Sequence, residues 1–273
     1  MLENRQSKFT FYSLGIVVKD KQRGSPQIVV YPVEDLAGIK GDISKAGGTS
    51  TISVTDASGA TISNKATSQS TIIATWVPIS NSNRTSPPDV CMNETVIIYR
   101  YADTDLYYWN TIFGEPSLRK LEDVVYSFSN MRDRKGTYDE TTSYFLRVNT
   151  FDKFLHLHTS TNDGEKAGYD ILIDTGNGQI SLIDTLGNSI ILDSVAGDLN
   201  TTTTNSVEVN TQHTTINSSI DVTVNTDKTT INSNSEITIN TQTATINASS
   251  SVDINTPTVN ISGDLNVGGV ITG

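Results

Sequence analysis

His156 and His158 stand two residues apart in the run KFLHLH. In an extended strand that spacing turns both imidazoles to one face, where two nitrogens can meet a metal ion. The simpler reading is a pair of packed or surface histidines, and the sequence assigns no metal ligand. Asp103 and Asp105, in YADTDLYYW, could offer carboxylates to a cation, but Asp-Thr-Asp between two strand patterns is also turn composition, and a hairpin turn is the reading taken. Gly176 and Gly178 lead into another strand pattern rather than a helix, so they read as a hairpin turn and not a phosphate loop. Glu115, Glu122, Asp123 and Asp133 hold enough carboxylates for a glycosidase pair. Leu118, Leu121, Val125 and Phe128, spaced 3, 4 and 3, instead predict a helix opened by Pro116, with these acids on its solvated side. Cys91 has no basic or histidine neighbour to activate its thiol, and Asn217-Ser218-Ser219 is a chance triplet in an Asn- and Thr-rich region. The expectation is a chain without catalytic residues or a cofactor.

Positioning elements come from two different materials. All 19 aromatic residues of the 273-residue chain lie at or before Tyr169. From Asp170 onward, eleven carboxylates face one basic residue, Lys228, which leaves −10 of the total −11 in that part. Such a charge excludes phosphate-backbone binding there, which needs clustered Lys and Arg, and disfavours anionic lipid. One cysteine cannot form an internal disulfide, and no apolar run approaches the ~18 residues of a membrane helix. The polar opening MLENRQSK does not read as a signal peptide.

A repeat governs the acidic part. An aliphatic, a polar and an aliphatic residue followed by Asn-Thr recur at 207–211, 222–226, 237–241 and 252–256, always 15 apart. A second series, Ile216, Ile231, Ile246 and Ile261, has the same period, so each unit divides into halves of 7 and 8. Alternation of aliphatics has the period of a strand, and Asn after each one suits a corner between short strands. Such strands cannot bury a core alone. They must stack within one chain, as in a Thr-rich ice-binding solenoid, or among three chains, as in a trimeric β-helix.

Ahead of the repeat, strands are expected over 14–19, 27–33, 51–55, 60–63, 71–77, 95–101 and 106–109, punctuated as in a small all-β barrel. A second β region follows over 145–193, with strands YFLRV, KFLHLH, YDILID, QISLID and SIILD joined by GNG and LGN turns.

The runs LGIVVKDKQRGSPQIVVYPVED and WVPISNSNRTSPPDVCMNETVIIYRYADTDLYYW resemble the OB-fold barrel of the central spikes of contractile phage tails and the related valine-glycine repeat proteins of type VI secretion. DILIDTGNGQISLIDTLGNSIILDS is similar to that family's entry into its spike, and GDLNVGGVITG to the end of many phage spike segments. Ile/Val-Asn stands here where the family often has Val-x-Gly, and about 40 residues occupy the place of the lysozyme domain some members carry. In the family an H-x-H iron site lies near the C-terminal tip, over 100 residues beyond the position of His156 and His158.

The resemblance implies an all-β chain with an N-terminal OB-fold-like barrel and one short helix, then a trimeric intertwined β-helix shaft. The expected domains are a barrel with its arm at 1–115, a helix and linker at 116–150, a β transition region at 151–200, the 15-residue-repeat β-helix at 201–262, and an end or docking platform at 263–273. The implied function is structural and non-enzymatic, a virion baseplate spike driven through the host envelope on tail contraction. Expected partners are two further copies in a homotrimer, a baseplate hub protein on the barrel, a small tip-capping protein at the C-terminal end, and the host outer membrane by mechanical passage. Nucleic acid is not one of them. Rival readings are a tail fibre or receptor-binding spike, an ice-binding solenoid, and a polysaccharide-cleaving tailspike.

Overall fold

Alternating apolar side chains punctuated by Gly, Pro and Asn dictate strands between residues 9 and 202, and the structure is all-β. It is a computed structural model that describes residues 7–34, 49–55, 61–67, 71–80, 83–112, 121–129 and 140–271. In chain order the strands are β1 (Phe9–Val17), β2 (Gln27–Pro32), β3 (Thr49–Thr55), β4 (Thr61–Thr67), β5 (Ile72–Trp76), β6 (Thr95–Tyr101), β7 (Tyr107–Thr111), β8 (Asp123–Ser129), β9 (Ser143–Asn149), β10 (Phe154–His158), β11 (Tyr169–Asp174), β12 (Gln179–Asp184), β13 (Ser189–Asp193) and β14 (Asp198–Thr202).

Five of them close a barrel in the order β1-β2-β5-β7-β6, and β3 and β4 pair with each other as a separate hairpin. Every barrel pair is antiparallel except β5 with β7, which is parallel. Inward-facing Val17, Val30, Ala74, Val96, Ile98 and Trp109 are fully buried. Each large side chain among them contributes roughly 1.5–3 kcal/mol by leaving water. The Trp109 indole N–H donates to the Pro26 carbonyl at 2.9 Å, so its polar end is satisfied inside the barrel. Gly15 is required by crowding: a Cβ there would lie 2.4 Å from Ile98 Cδ1.

The second sheet is a seven-stranded meander, β14-β13-β12-β11-β10-β9-β8, antiparallel throughout. Aspartates cap its tight turns. Asp184 Oδ1 accepts from the backbone N–H of Leu186 at 2.8 Å and Asn188 at 2.9 Å, and Asp174 Oδ1 accepts from Asn177 N at 2.9 Å. Gly178, Gly187 and Gly197 complete three turns at φ of 71°, 94° and 78°. The GNG and LGN hairpins expected from the sequence are therefore present.

Barrel and meander are joined at edge strand β8. Thr85 N–H donates to Val125 O at 2.9 Å and Ser127 N–H to Asn83 O at 2.8 Å, which adds the β5–β6 connection to that edge. Beneath this seam Lys21 Nζ meets Asp89 Oδ1 at 2.6 Å, while Asp89 Oδ2 accepts the backbone N–H of Asp123 at 3.0 Å.

Two expectations are corrected. The helix expected over Leu118, Leu121, Val125 and Phe128 is not formed: residues 123–129 are β8, and Leu118 lies outside the described residues. The run DVVYSF is β-branched and aromatic, and its full pairing with β9 overrides an accidental helical spacing. Because β8 and β9 belong to the meander, the β transition region begins at Asp123 rather than at 151, and the segment taken as a linker is largely sheet where it is described. A single 3₁₀ turn, Glu140–Thr142, is the helical structure among the described residues.

Candidate functional site

Cross-strand register assigns each meander residue to one of two faces. Leu146, Leu157, Ile171, Leu182 and Ile190 lie opposite one another across five strands, and Val148, Leu155, Ile173, Ile180, Leu192 and Leu199 form the next row on the same face. Nothing in the chain covers this face among the described residues: Leu155 is 43% exposed, Ile190 50% and Leu199 67%. Contiguous apolar rows left open to water are unusual on a monomer.

The chain divides into two units after Asn210. Taken by itself, the second, Thr211–Gly273, is a ribbon that repeats its own conformation. Thr211, Thr226, Thr241 and Thr256 each donate through Oγ1 to the carbonyl two residues on, at 3.0, 3.1, 3.0 and 3.2 Å. Bends fall at residues 212, 227, 242 and 257, just beyond these threonines, and again at 219–220, 234–235 and 249–250. Between bends the chain carries no regular secondary structure, and no strand pairing joins residues 211–271 to one another. Every repeat aliphatic is exposed, Val224 at 69%, Ile239 at 76% and Ile246 at 76%. The sequence had given the corner to Asn. Asn217, Asn225 and Asn240 fall between bends with no positive φ, Asn234 lies in one, and the bends after Thr211, Thr226 and Thr241 are closed by a Thr hydroxyl that also accepts the N–H two residues on.

On the opposite face of the meander the two histidines meet a third group. His158 is the cross-strand partner of Asp170, and His156 lies one step along the same face. Asp170 Oδ1 is 2.7 Å from His156 Nε2 and 2.8 Å from His158 Nδ1. Phe145 stacks on the His158 ring at 4.8 Å and 18°, and meets the His156 ring edge-on at 5.0 Å and 89°. Burial alone would raise the Asp170 carboxyl, but the bonds and charge of His158 and His156 outweigh it and hold the group below its ordinary value. His158 Nε2, on the far side of the ring, is buried without a hydrogen-bond partner. Sequence reasoning named the histidines and missed Asp170 and Phe145, although pairing KFLHLH with the strand YDILID across a loop would have raised the question.

The remaining candidates are placed elsewhere. Asp103 and Asp105 sit in the β6–β7 hairpin turn, where Arg100 Nε donates to Thr104 O at 2.7 Å. Glu122 pairs with Arg84, and Asp123 is held by Arg147 at 2.7 and 2.9 Å, so neither is arranged as an acid with an opposed base. Glu115 and Asp133 lie outside the described residues. Cys91 is exposed, and its N–H donates to Glu94 Oε1 at 2.6 Å. Gly176 and Gly178 form the β11–β12 turn. Ser218 donates to the Asp221 carbonyl at 2.5 Å as part of the ribbon's bend. No protein-family model and no curated protein matches the chain.

Proposed function

We propose that three copies of this chain form the central spike of a contractile phage tail, a structural part driven through the host envelope when the sheath contracts. The observation that carries this reading is the segment after Asn210, which repeats the same Thr-closed bend every 15 residues while its aliphatics stay exposed and no strand pairing is formed. A regular conformation without an internal partner is what one strand of an intertwined assembly has when viewed alone. Two further copies would supply both the missing backbone partners and the cover for Val209, Val224, Ile239 and Ile254.

The apolar face of the meander supports the same stoichiometry. Three such faces turned inward would bury Leu146, Leu157, Ile171 and Leu182 around a common axis, with the aspartate-rich face outward. The barrel order β1-β2-β5-β7-β6, with one parallel pair, supports an OB-like barrel as the part that docks on a baseplate hub. Exposed Leu265, Val267, Val270 and Ile271 would receive a small capping protein. In such a shaft, eight strand steps of about 4.8 Å give a rod of roughly 40 Å. Each strand would be hydrogen-bonded to other chains, so none could leave without unwinding its neighbours. That is the source of stiffness a puncturing device needs.

Antibody labelling of purified tail particles tests the reading. Label at the centre of the baseplate is the expected result. Absence of the chain from assembled tails, or its presence only along lateral fibres, would overturn it.

A further inference from the structure

The cluster on the polar face of the meander brings three metal-ligating side chains together, and its placement does not depend on what the assembled protein does. Strand alternation gives His156 and His158 one face, and the β10–β11 register sets Asp170 directly opposite His158. One ligand atom from each residue, His156 Nε2, His158 Nδ1 and an Asp170 carboxylate oxygen, falls within 4.8 Å of the others. A single oxygen, Oδ1, takes both nitrogens at 2.7 and 2.8 Å, so the three groups already converge on one small volume.

Two further features favour an ion over a plain hydrogen-bond network. Phe145 is 8% exposed and packs on both rings, which fixes their orientation before any ligand arrives. The Asp170 side chain is 42% exposed, which gives an entry path from solvent. Two imidazoles and a carboxylate, with a fourth position open to water, suit zinc and its divalent first-row neighbours, and not calcium or magnesium, which demand oxygen.

We propose that His156, His158 and Asp170 of each chain bind one divalent first-row transition ion, zinc being the best fit, in a mononuclear site that clips β10 to β11. Each ring would coordinate as neutral imidazole through the nitrogen that faces Asp170, with its proton on the other ring nitrogen.

The test uses the full-length protein in its native assembly, stripped with chelator, dialysed and titrated with Co2+ as the spectroscopic probe and with Zn2+ in competition. The expected result is one ion per chain, intense visible Co2+ absorption of a four-coordinate N/O site, and bleaching by Zn2+. His158→Gln and Asp170→Asn should each weaken uptake by more than the roughly 10–100-fold typical of outer-shell changes. The assembly mass and far-ultraviolet circular dichroism of each variant show whether it has folded, and Lys166→Ala, exposed in the β10–β11 loop, serves as a control that keeps its cobalt. No stoichiometric uptake at micromolar ion, or uptake that survives in His156→Gln/His158→Gln, would overturn the proposal. One ion per three chains would overturn it equally, because it would place the ligands on a shared axis.

Discussion

Lys21 and Asp89 are joined by a buried ion pair at the seam between barrel and meander, with the Lys21 side chain fully enclosed and Asp89 also bonded to the Asp123 backbone. A lysine removed from water needs its partner. Replacing Lys21 by Met leaves the carboxylate with a single backbone donor and is expected to cost roughly 3–5 kcal/mol, read as a lower urea midpoint. Lys21→Met combined with Asp89→Leu should recover much of that loss. If the single variant is as stable as the parent, the pair is not what holds the seam.

Gly15 is set by the space around it. A methyl there meets Ile98 Cδ1 at 2.4 Å and Cγ1 at 2.9 Å, so Gly15→Ala is expected to cost about 1–3 kcal/mol through forced repacking. Ile98→Ala would remove both obstructing atoms. The double variant should therefore lose less than the sum of the singles, a coupling that a denaturation cycle measures.

Asp184 carries the clearest pH expectation. The Asn188 side-chain amide and backbone N–H, with the Leu186 N–H, stabilise its charged form and hold its pKa below the ordinary 3.8. A depressed native pKa means that the stabilisation is complete above the unfolded value and disappears as pH falls through the native one. The gap in stability between the parent and Asp184→Ala should be constant above about pH 5 and narrow below 3.8. Carboxyl titration by NMR should place the Asp184 midpoint under 3.8, and a midpoint above it would refute the turn's geometry.

How far the sequence could be read depended on whether the signal was local. Alternation in QIVVYP, TVIIYRY and YDILID marked β2, β6 and β11, because a strand's two faces are written in neighbouring residues. The GNG and LGN runs announced their turns for the same reason. The run from Leu118 to Phe128 misled because four apolar residues happened to fit a helix, while the partner that decides its state, β9, lies some 20 residues away. Asp170 was hidden likewise: its meeting with His158 is a matter of pairing register across a loop. In the repeat the aliphatic period was plain, but the corner was assigned to Asn, whereas a Thr hydroxyl two bonds from the backbone closes one of the two bends in each unit.

Ile239 separates a shaft buried among chains from a ribbon that stays in water. It is 76% exposed in one chain, so Ile239→Asp would be harmless to a monomer. Within a trimer the same change sets three carboxylates in one apolar layer, and burying even one unpaired charge is prohibitive. Trimer yield on size-exclusion chromatography is expected to collapse for Ile239→Asp and to hold for Lys228→Ala and Glu236→Ala. Equal sensitivity of all three would refute the inward register.

The most direct measurement is the native mass of the full-length protein by mass spectrometry under non-denaturing conditions. The account expects a single species at three times 29.6 kDa that resists dilution, because exposed aliphatics of the meander and of every repeat are buried only among copies. A stable, soluble species at 29.6 kDa would contradict it, since one chain would then be keeping those side chains in water unaided.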